Sequence, residues 1–438
     1  MSLVWRKHSI STALWRRGGL VAATFLTFFV GNFFVAPAKA VTGDMLGHDF
    51  LALYYGGYCA RTGHFEQLYD LPATRAFEFA TGHSANLSLG TSFGPWWNPP
   101  FAAWMFAPFS ALPYLSALHA WWICSAICLG ISIGLMCLMI PAGWKIRSLV
   151  PLLVLTSKPC FLAICHGQNT FVSLLFLTTT VWPWRGGRPL LAGIVCGLLF
   201  YKPQLGAVVA AVLCLSQGRR AIMGICLTGA TLLLVNILTM PGSLHEFLHH
   251  VPLNLAWIQD QSVYRWERHV TLKAFWRGLV QGDTVGTTSP TTRILWALSE
   301  IALLAGLGRV LIATIGKRGP SSRDRLIAAT IVAMPLLMPF YFDYDLLLIS
   351  VGIVVYAADR QNNLAETKSD IQLLRIWTVI FLSMWLWFLV LIVWKTTFSP
   401  TVPLLVVAAI IQIRCALQTP ARQPIAEPAQ MQPAALAA

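Results

Sequence analysis

Apolar stretches long enough to cross a bilayer recur along this chain from residue 18 to residue 415, and that repetition constrains the fold more than any motif does. A spanning helix needs roughly 20 mostly apolar residues. The stretches at 18–36, 99–112, 114–140, 148–165, 168–184, 189–217, 220–240, 292–316, 324–340, 343–358, 373–394 and 399–415 are candidates. They predict about 11 to 13 passes and an all-α polytopic membrane protein. Charged residues make up 11% of the 438, against about 25% in soluble domains, so no soluble domain of ordinary size fits between the stretches.

The formal charge of +14 raises nucleic acid as a partner, but the 31 Lys and Arg mostly flank apolar stretches. That is the positive-inside pattern of a membrane protein, and it argues against nucleic-acid binding. Arg185/Arg188, Arg219/Arg220, Lys317/Arg318/Arg323/Arg325 and Arg360/Lys368/Arg375 are then cytoplasmic, and the loops at 37–98 and 242–291 face outward. The first of these loops carries Asp44, Asp49, Glu66, Asp70 and Glu78 against fewer cations. Residues 1–17 read as a cytoplasmic N-terminus, 18–415 as the membrane domain, and 416–438, rich in Pro, Ala and Gln, as a disordered cytoplasmic tail. The location is the plasma membrane. Ala38-Lys39-Ala40 resembles a signal-peptidase site, but the basic flank and length of 18–36 favour an uncleaved anchor. Of the 10 cysteines only Cys59 falls in a polar outer loop. The rest read as small buried apolar residues rather than a disulfide framework.

Two regions resist simple crossings. Lys145 and Arg147 belong in the cytoplasm, so 99–140 has room for one true span, and Pro99, Pro100, Pro108 and Pro113 suggest a shallow or re-entrant segment at 99–112. The stretch 189–217 is basic at both ends and broken by Lys202-Pro203. The favoured reading is two short helices that dip towards the outer face, the alternative one tilted crossing.

On that topology Asp49, Asn98, His166-Gly167-Gln168-Asn169, Lys202, the 242–291 loop and the FDYD run at 342–345 meet at the outer boundary. Polar groups from several helices at one depth mark an intramembrane site. Asp49 precedes LALYYGGY, which reads as a short helix lying along the interface. An arbitrary loop Asp is more often a helix cap. Partial desolvation here predicts a raised pKa and a better proton acceptor. Neighbouring His48 orients substrate or bonds the loop. His166-Gly167-Gln168-Asn169 reads as a tight turn in which Asn169 caps the next helix, or as donors for sugar hydroxyls. Lys202 reads equally as a snorkelling lysine or as a phosphate contact. QSVYRWERH supplies Arg265 and Arg268 among aromatic residues, for interface anchoring or a lipid-linked phosphate. Asp343 and Asp345 lie at a helix start, where they complement its dipole. Two positions apart, they share no helix face and do not read as a catalytic pair.

His245-Glu246-Phe247-Leu248-His249 spells a zinc-protease signature, but no third ligand follows, since Pro252 and Leu255 occupy the positions of the extended pattern. Ser243 and Glu246 satisfy a capping box. The segment reads as a surface helix, and no metal is expected.

Several runs together resemble glycosyltransferase family 87: DFLALYYGGYCARTGHFEQLYD, WNPPFAAWMFAPFSALP, GQNTFVSLLFL, GIVCGLLFYKP and PFYFDYDLLLI, in the family's order over about residues 47 to 350. The resemblance implies a GT-C-type helical bundle with its site on the non-cytoplasmic face and a polyprenyl-phosphate-linked sugar as donor. It also implies that an acidic residue of the first outer loop is the catalytic base, which maps to Asp49. The family's later motif often has a histidine after Ser-Pro; this chain has Met338-Pro339-Phe340-Tyr341-Phe342, so that histidine's role does not carry over.

The combined expectation is a hexosyltransferase, with mannose first and a pentose as alternative, acting on a lipid- or glycan-linked acceptor without a cofactor. Lys202, Arg265 or Arg268 would stabilise the leaving phosphate. The main rival is a multi-pass transporter or lipid flippase, which the lack of an evident inverted repeat disfavours.

Overall fold

The structure, a computed structural model, describes residues 47–87, 89, 93–140, 146–261, 264–315, 319–362 and 397–417. The expected spans at 18–36 and 373–394, the N-terminal basic segment, the Ala38-Lys39-Ala40 site and the tail beyond residue 417 lie outside the described residues.

The first outer loop folds into α1 (Phe50–Thr62) and α2 (Leu71–Ser84). Asp70 caps α2, its Oδ1 accepting the Ala73 amide at 2.8 Å. The proline-rich stretch that follows cannot sustain an α-helix, because each proline removes a donor and clashes with the preceding turn. It forms 3-10 turns at Pro100–Met105 and Phe109–Ala111, so the expected shallow segment is short and non-α. Then comes α3 (Tyr114–Met139), whose 26 residues extend about 39 Å at 1.5 Å each.

The stretch at 148–165 is not one helix. It breaks into α4 (Ile146–Leu155) and α5 (Lys158–His166), because Ser157 caps α5 through the Cys160 amide at 3.3 Å and Pro159 follows. Next are α6 (Thr170–Arg185), α7 (Pro189–Leu198) and α8 (Pro203–Gln217), the last two separated by a 3-10 turn at Leu199–Tyr201. The expected break at Lys202-Pro203 is present, and α7 and α8 pack on each other. The chain continues through α9 (Arg219–Thr239), α10 (Ser243–Gln261), α11 (Leu272–Gln281), α12 (Pro290–Thr314) and α13 (Pro320–Ala333). A 3-10 turn at Asp343–Leu348 leads into α14 (Ile349–Asn362), and α15 (Thr401–Leu417) closes the described chain.

Three described helices, α3, α9 and α12, are long and apolar enough to cross a membrane. The other expected crossings among the described residues are shorter or broken, so the sequence count of single spans is not reproduced helix by helix. No β-sheet occurs among the described residues; His269 and Phe342 form an isolated antiparallel bridge. One apolar core gathers α5 to α8 with α13, α14 and α15, and a second gathers α1, the 3-10 turns and the start of α3.

Helix α6 separates two clusters of buried charge. At its start the Thr170 hydroxyl donates to Asp345 at 2.7 Å, and at its end Arg185 donates to both oxygens of Asp324 at 2.8 and 2.6 Å. Beside Asp324, Arg325 pairs with Asp359 of α14 at 2.9 Å. Sixteen helical residues set the clusters about 24 Å apart.

Candidate active site

The site forms where residues 47–50 dock on the turn between α5 and α6. The Gly47 amide donates to the Cys165 carbonyl at 2.7 Å and the Asp49 amide to the His166 carbonyl at 3.1 Å. Gly167 ends α5 at φ 66°, a left-handed conformation that side chains other than glycine rarely adopt. A Cβ there would sit 2.9 Å from the Phe50 Cβ. Helix α3 pins both halves: Tyr114 Oη donates to the Gly47 carbonyl and Trp121 Nε1 to the Gly167 carbonyl, each at 2.8 Å.

Asp49 occupies the N-cap position of α1, yet its side chain accepts no bond from that helix. The capping role is therefore not what holds it. Gln168 Nε2 donates to Asp49 Oδ2 at 2.8 Å, His48 Nδ1 lies 3.5 Å from Oδ1, and His166 Nδ1 lies 3.5 Å from Oδ2. A quarter of the Asp49 side chain remains exposed (25%), which leaves it open to a reactant.

Behind His166 the network continues. Arg268 Nη2 lies 3.1 Å from His166 Nε2; where the ring is neutral, Nε2 accepts from the guanidinium and the proton sits on Nδ1, directed at Asp49. Arg268 also approaches Asp343 Oδ1 at 3.5 Å and lies over the Phe342 and Tyr344 rings at 5.6 and 5.8 Å. Asp343 Oδ2 accepts from Lys158 Nζ at 3.2 Å. Lys202 Nζ reaches both oxygens of Asp345 at 3.1 Å.

Electrostatics reverse one expectation. Burial pushes the Asp49 pKa up, but His166, the bond and charge of His48, and Arg268 together outweigh it and hold the carboxyl well below the usual carboxylate range. Nearby His269 is pushed down to about 3 by burial and by Arg268, so its ring, packed 4.1 Å from Phe342, is neutral. Glu78 is fully buried rather than solvated, although the Gly94 amide donates to it at 3.0 Å, and burial pushes its pKa up to about 8.

Of the residues expected from sequence, His48, His166, Gln168 and Arg268 gather around Asp49, and Asp343 joins through Arg268. Lys202 is neither snorkelling nor open to a phosphate: it is buried against Asp345. Asp343 and Asp345 are likewise buried partners of separate lysines rather than dipole complements at an α-helix start. Asn169 does not cap α6 with its side chain; its carbonyl accepts from Tyr201 at 3.0 Å. Asn98 is buried, its carbonyl accepting from Tyr69 of the second core at 2.8 Å. Arg265 faces solvent at 56% exposure and pairs with Glu267 at 3.2 Å. Lys158 was not expected, being hidden inside the stretch at 148–165. The available signal was a repeated dipeptide: Lys158-Pro159 and Lys202-Pro203 each open a helix, and each lysine meets one aspartate of FDYD.

The HExxH segment is a surface feature of α10. Glu246 pairs with His250 at 3.0 Å, and the rings of His245 and His249 are parallel at 6.1 Å. The expected capping box does not form, because Ser243 is the first residue of the helix and its hydroxyl donates to the Met240 carbonyl at 2.6 Å, while the Glu246 amide donates to the Gly242 carbonyl at 3.3 Å. No group of three or more His, Cys, Asp or Glu suited to a metal occurs among the described residues.

Residues 96–343, more than half of the 438, match the sequence profile of glycosyltransferase family 87. The chain belongs to that family. Family membership makes it a glycosyltransferase-type enzyme, and its long apolar helices are consistent with a membrane-associated one. The matched span contains Lys158, His166, Gln168, Lys202, Arg268 and Asp343 and begins after Asp49. No curated protein and no solved structure matches the chain.

Proposed function

We propose that this chain is a membrane-embedded glycosyltransferase with a GT-C-type bundle, moving a sugar from a polyprenyl-phosphate donor to a hydroxyl of a lipid- or glycan-linked acceptor. The sugar is a hexose, mannose first, or a pentose, and Asp49 is the base. The reading is supported chiefly by the Asp49 carboxylate, which leaves its helix uncapped, is steered by Gln168 and His166, and stays open on one side. The second charge cluster at the far end of α6, with Arg185 and Arg325, supports placing the Asp49 end on the non-cytoplasmic face of the plasma membrane.

In the transfer the acceptor oxygen bonds to the anomeric carbon as the bond from that carbon to the phosphate oxygen breaks. The polyprenyl phosphate leaves with the electron pair, and the hydroxyl proton passes to Asp49. One displacement inverts the anomeric centre. A carboxylate held ionised is a weak base, but a hydroxyl attacking an oxocarbenium-like centre becomes acidic as its new bond forms. What Asp49 must supply early is a placed hydrogen-bond acceptor, and its neighbours secure that. Lys158 and Lys202 are buried against Asp343 and Asp345; Arg268, shared between His166 and Asp343 beside Asp49, is the cation assigned to meet the leaving phosphate.

The test is transfer from radiolabelled polyprenyl-phosphate mannose, glucose and arabinose by the purified protein. Asp49→Asn should lower the rate by about 10²- to 10⁴-fold, and an unchanged rate would remove the assignment.

A further inference from the structure

Gln168, Asn169 and Thr170 lead into α6, and the last two are held from the break between α7 and α8. The break is sharp: Lys202 has φ −121° and ψ 89°, outside the helical region. In an unbroken helix residues 201 and 202 would point about 100° apart. Here both reach the start of α6. Lys202 pairs with Asp345, which also accepts the Thr170 hydroxyl at 2.7 Å. Tyr201 Oη donates to the Asn169 carbonyl at 3.0 Å and lies 2.5 Å from Ser173 Oγ. A phenol has one proton to give, so Ser173 is the donor in the second bond. Tyr201, Asn169, Thr170 and Ser173 are all buried.

Gln168 faces the other way, into the site. Its Oε1 accepts the Asn169 amide at 3.3 Å, which leaves Nε2 to meet Asp49 at 2.8 Å. The N–H of residue 169 therefore sets which end of the Gln168 side chain faces the carboxylate. The carbonyl of the same residue is the one that Tyr201 holds. A shift of Asn169 moves both.

The Tyr201 bond is not needed to satisfy that carbonyl, which already accepts the Val172 and Ser173 amides at 3.1 and 3.2 Å in the first turn of α6. The hydroxyl is not needed for ring packing either, since the Tyr201 ring meets Phe176 edge-on at 5.8 Å. Asn169 Oδ1 is buried without a hydrogen-bond partner and adds no anchor of its own. What the hydroxyl supplies is position, a tie from the helix break to the residue that orients Gln168.

We infer that Tyr201 is a positioning residue for sugar transfer, acting through Asn169 to hold the Gln168 amide against Asp49. The inference rests on the reading of Asp49 proposed above and extends it to a residue remote in sequence.

The experiment is a double-variant cycle on the full-length protein with Tyr201→Phe, Gln168→Leu and the two together. It reads kcat and KM for transfer, and hydrogen exchange of the Asn169 amide without substrate, each beside a thermal melt. Tyr201→Phe should lower kcat by about three- to tenfold, leave KM near the wild-type value and barely shift the melt. In the Gln168→Leu background the same change should lower kcat no further, because the group it positions is gone. Exchange of the Asn169 amide should be faster in Tyr201→Phe than in wild type. A wild-type kcat in Tyr201→Phe overturns the inference. So do losses that multiply in the double variant, which would make Tyr201 a support of the fold at large. Unchanged exchange at Asn169 in Tyr201→Phe overturns it as well. The exchange readout needs no substrate, so it tests the tie even where the transfer reading fails; that reading falls separately, on the rate of Asp49→Asn.

Discussion

Gln168 Nε2 and Asp49 Oδ2 lie 2.8 Å apart across 119 residues of sequence. That bond fixes the carboxylate rotamer while leaving Oδ1 to His48 and to whatever enters from the open side. A hydrogen bond to a charged group is worth about 1.5–3 kcal/mol, and each 1.4 kcal/mol or so is tenfold in an equilibrium or rate. Gln168→Leu should therefore lower kcat/KM for transfer by roughly ten- to a hundredfold. Gln168→Glu, which sets a second anion against Asp49, should be worse. Steady-state transfer assays on both variants check the order, and Gln168→Glu equalling wild type would deny that this amide positions the carboxylate.

Lys202 and Asp345 form a pair whose side chains are about nine-tenths buried. Removing one partner strands a charge, at a cost of about 3–5 kcal/mol. Lys202→Met alone should lower the melting temperature steeply, and Lys202→Met with Asp345→Leu should recover much of the loss. A double variant no more stable than the single one would mean that the pair is not what Lys202 contributes.

The crossings and breaks were partly legible in the sequence, and the contacts were not. Lys202-Pro203 announced its break because a proline and a charge interrupt an otherwise apolar run. Lys158 did not, because averaged hydropathy over 148–165 swamps one cation, and only the fold shows Asp343 waiting for it. Asp49 stood out as an acid before an interfacial aromatic run. Its low pKa could not be read there, since the groups that lower it include His166 and Arg268, brought in from distant elements. Arg265 and Arg268 look alike in QSVYRWERH, yet the 3-10 turn at Trp266–Arg268 sends only the second inward. The apparent capping box at Ser243 failed because α10 begins with that serine rather than after it.

Gly167 joins two constraints at one residue: a φ of 66° and a Cβ position 2.9 Å from the Phe50 Cβ. Left-handed backbone costs a non-glycine residue roughly 1–2 kcal/mol, and the contact adds to it. Gly167→Ala should both lower the melting temperature and push residues 47–50 off the turn, so transfer should fall even where the protein remains folded. Unaltered transfer in a folded Gly167→Ala protein would show that the docking tolerates movement.

Glu78 offers a pH test unconnected with catalysis. Its folded pKa, pushed up to about 8 by burial, exceeds that of the unfolded chain. A carboxyl raised in this way holds its proton in the fold, so its contribution is favourable at low pH and erodes as pH rises from the unfolded value towards 8. The erosion approaches about 1.4 kcal/mol per pH unit. Glu78→Gln cannot ionise. It should match wild type near pH 5 and exceed it near pH 8 in thermal melts, and parallel curves for the two proteins would place Glu78 in contact with water.

Asp49 is shifted the opposite way, and the sign of its pH dependence follows. Its folded pKa lies below that of the unfolded chain, so the ionised form and the stability it brings are present above the unfolded value and are lost only as pH falls through the folded one. Between pH 5 and 8 Asp49 is therefore a carboxylate throughout, and it contributes no acid limb to the transfer rate in that range. His166 is the leading influence that opposes the upward push of burial. In His166→Asn that influence is gone and burial acts against fewer opponents, so an acid limb should move up in pH while the alkaline side stays where it was. The measurement is kcat/KM for transfer from pH 4 to 8 in both proteins. Superimposable profiles would show that His166 neither holds the charge of Asp49 nor takes part in readying it for the acceptor hydroxyl.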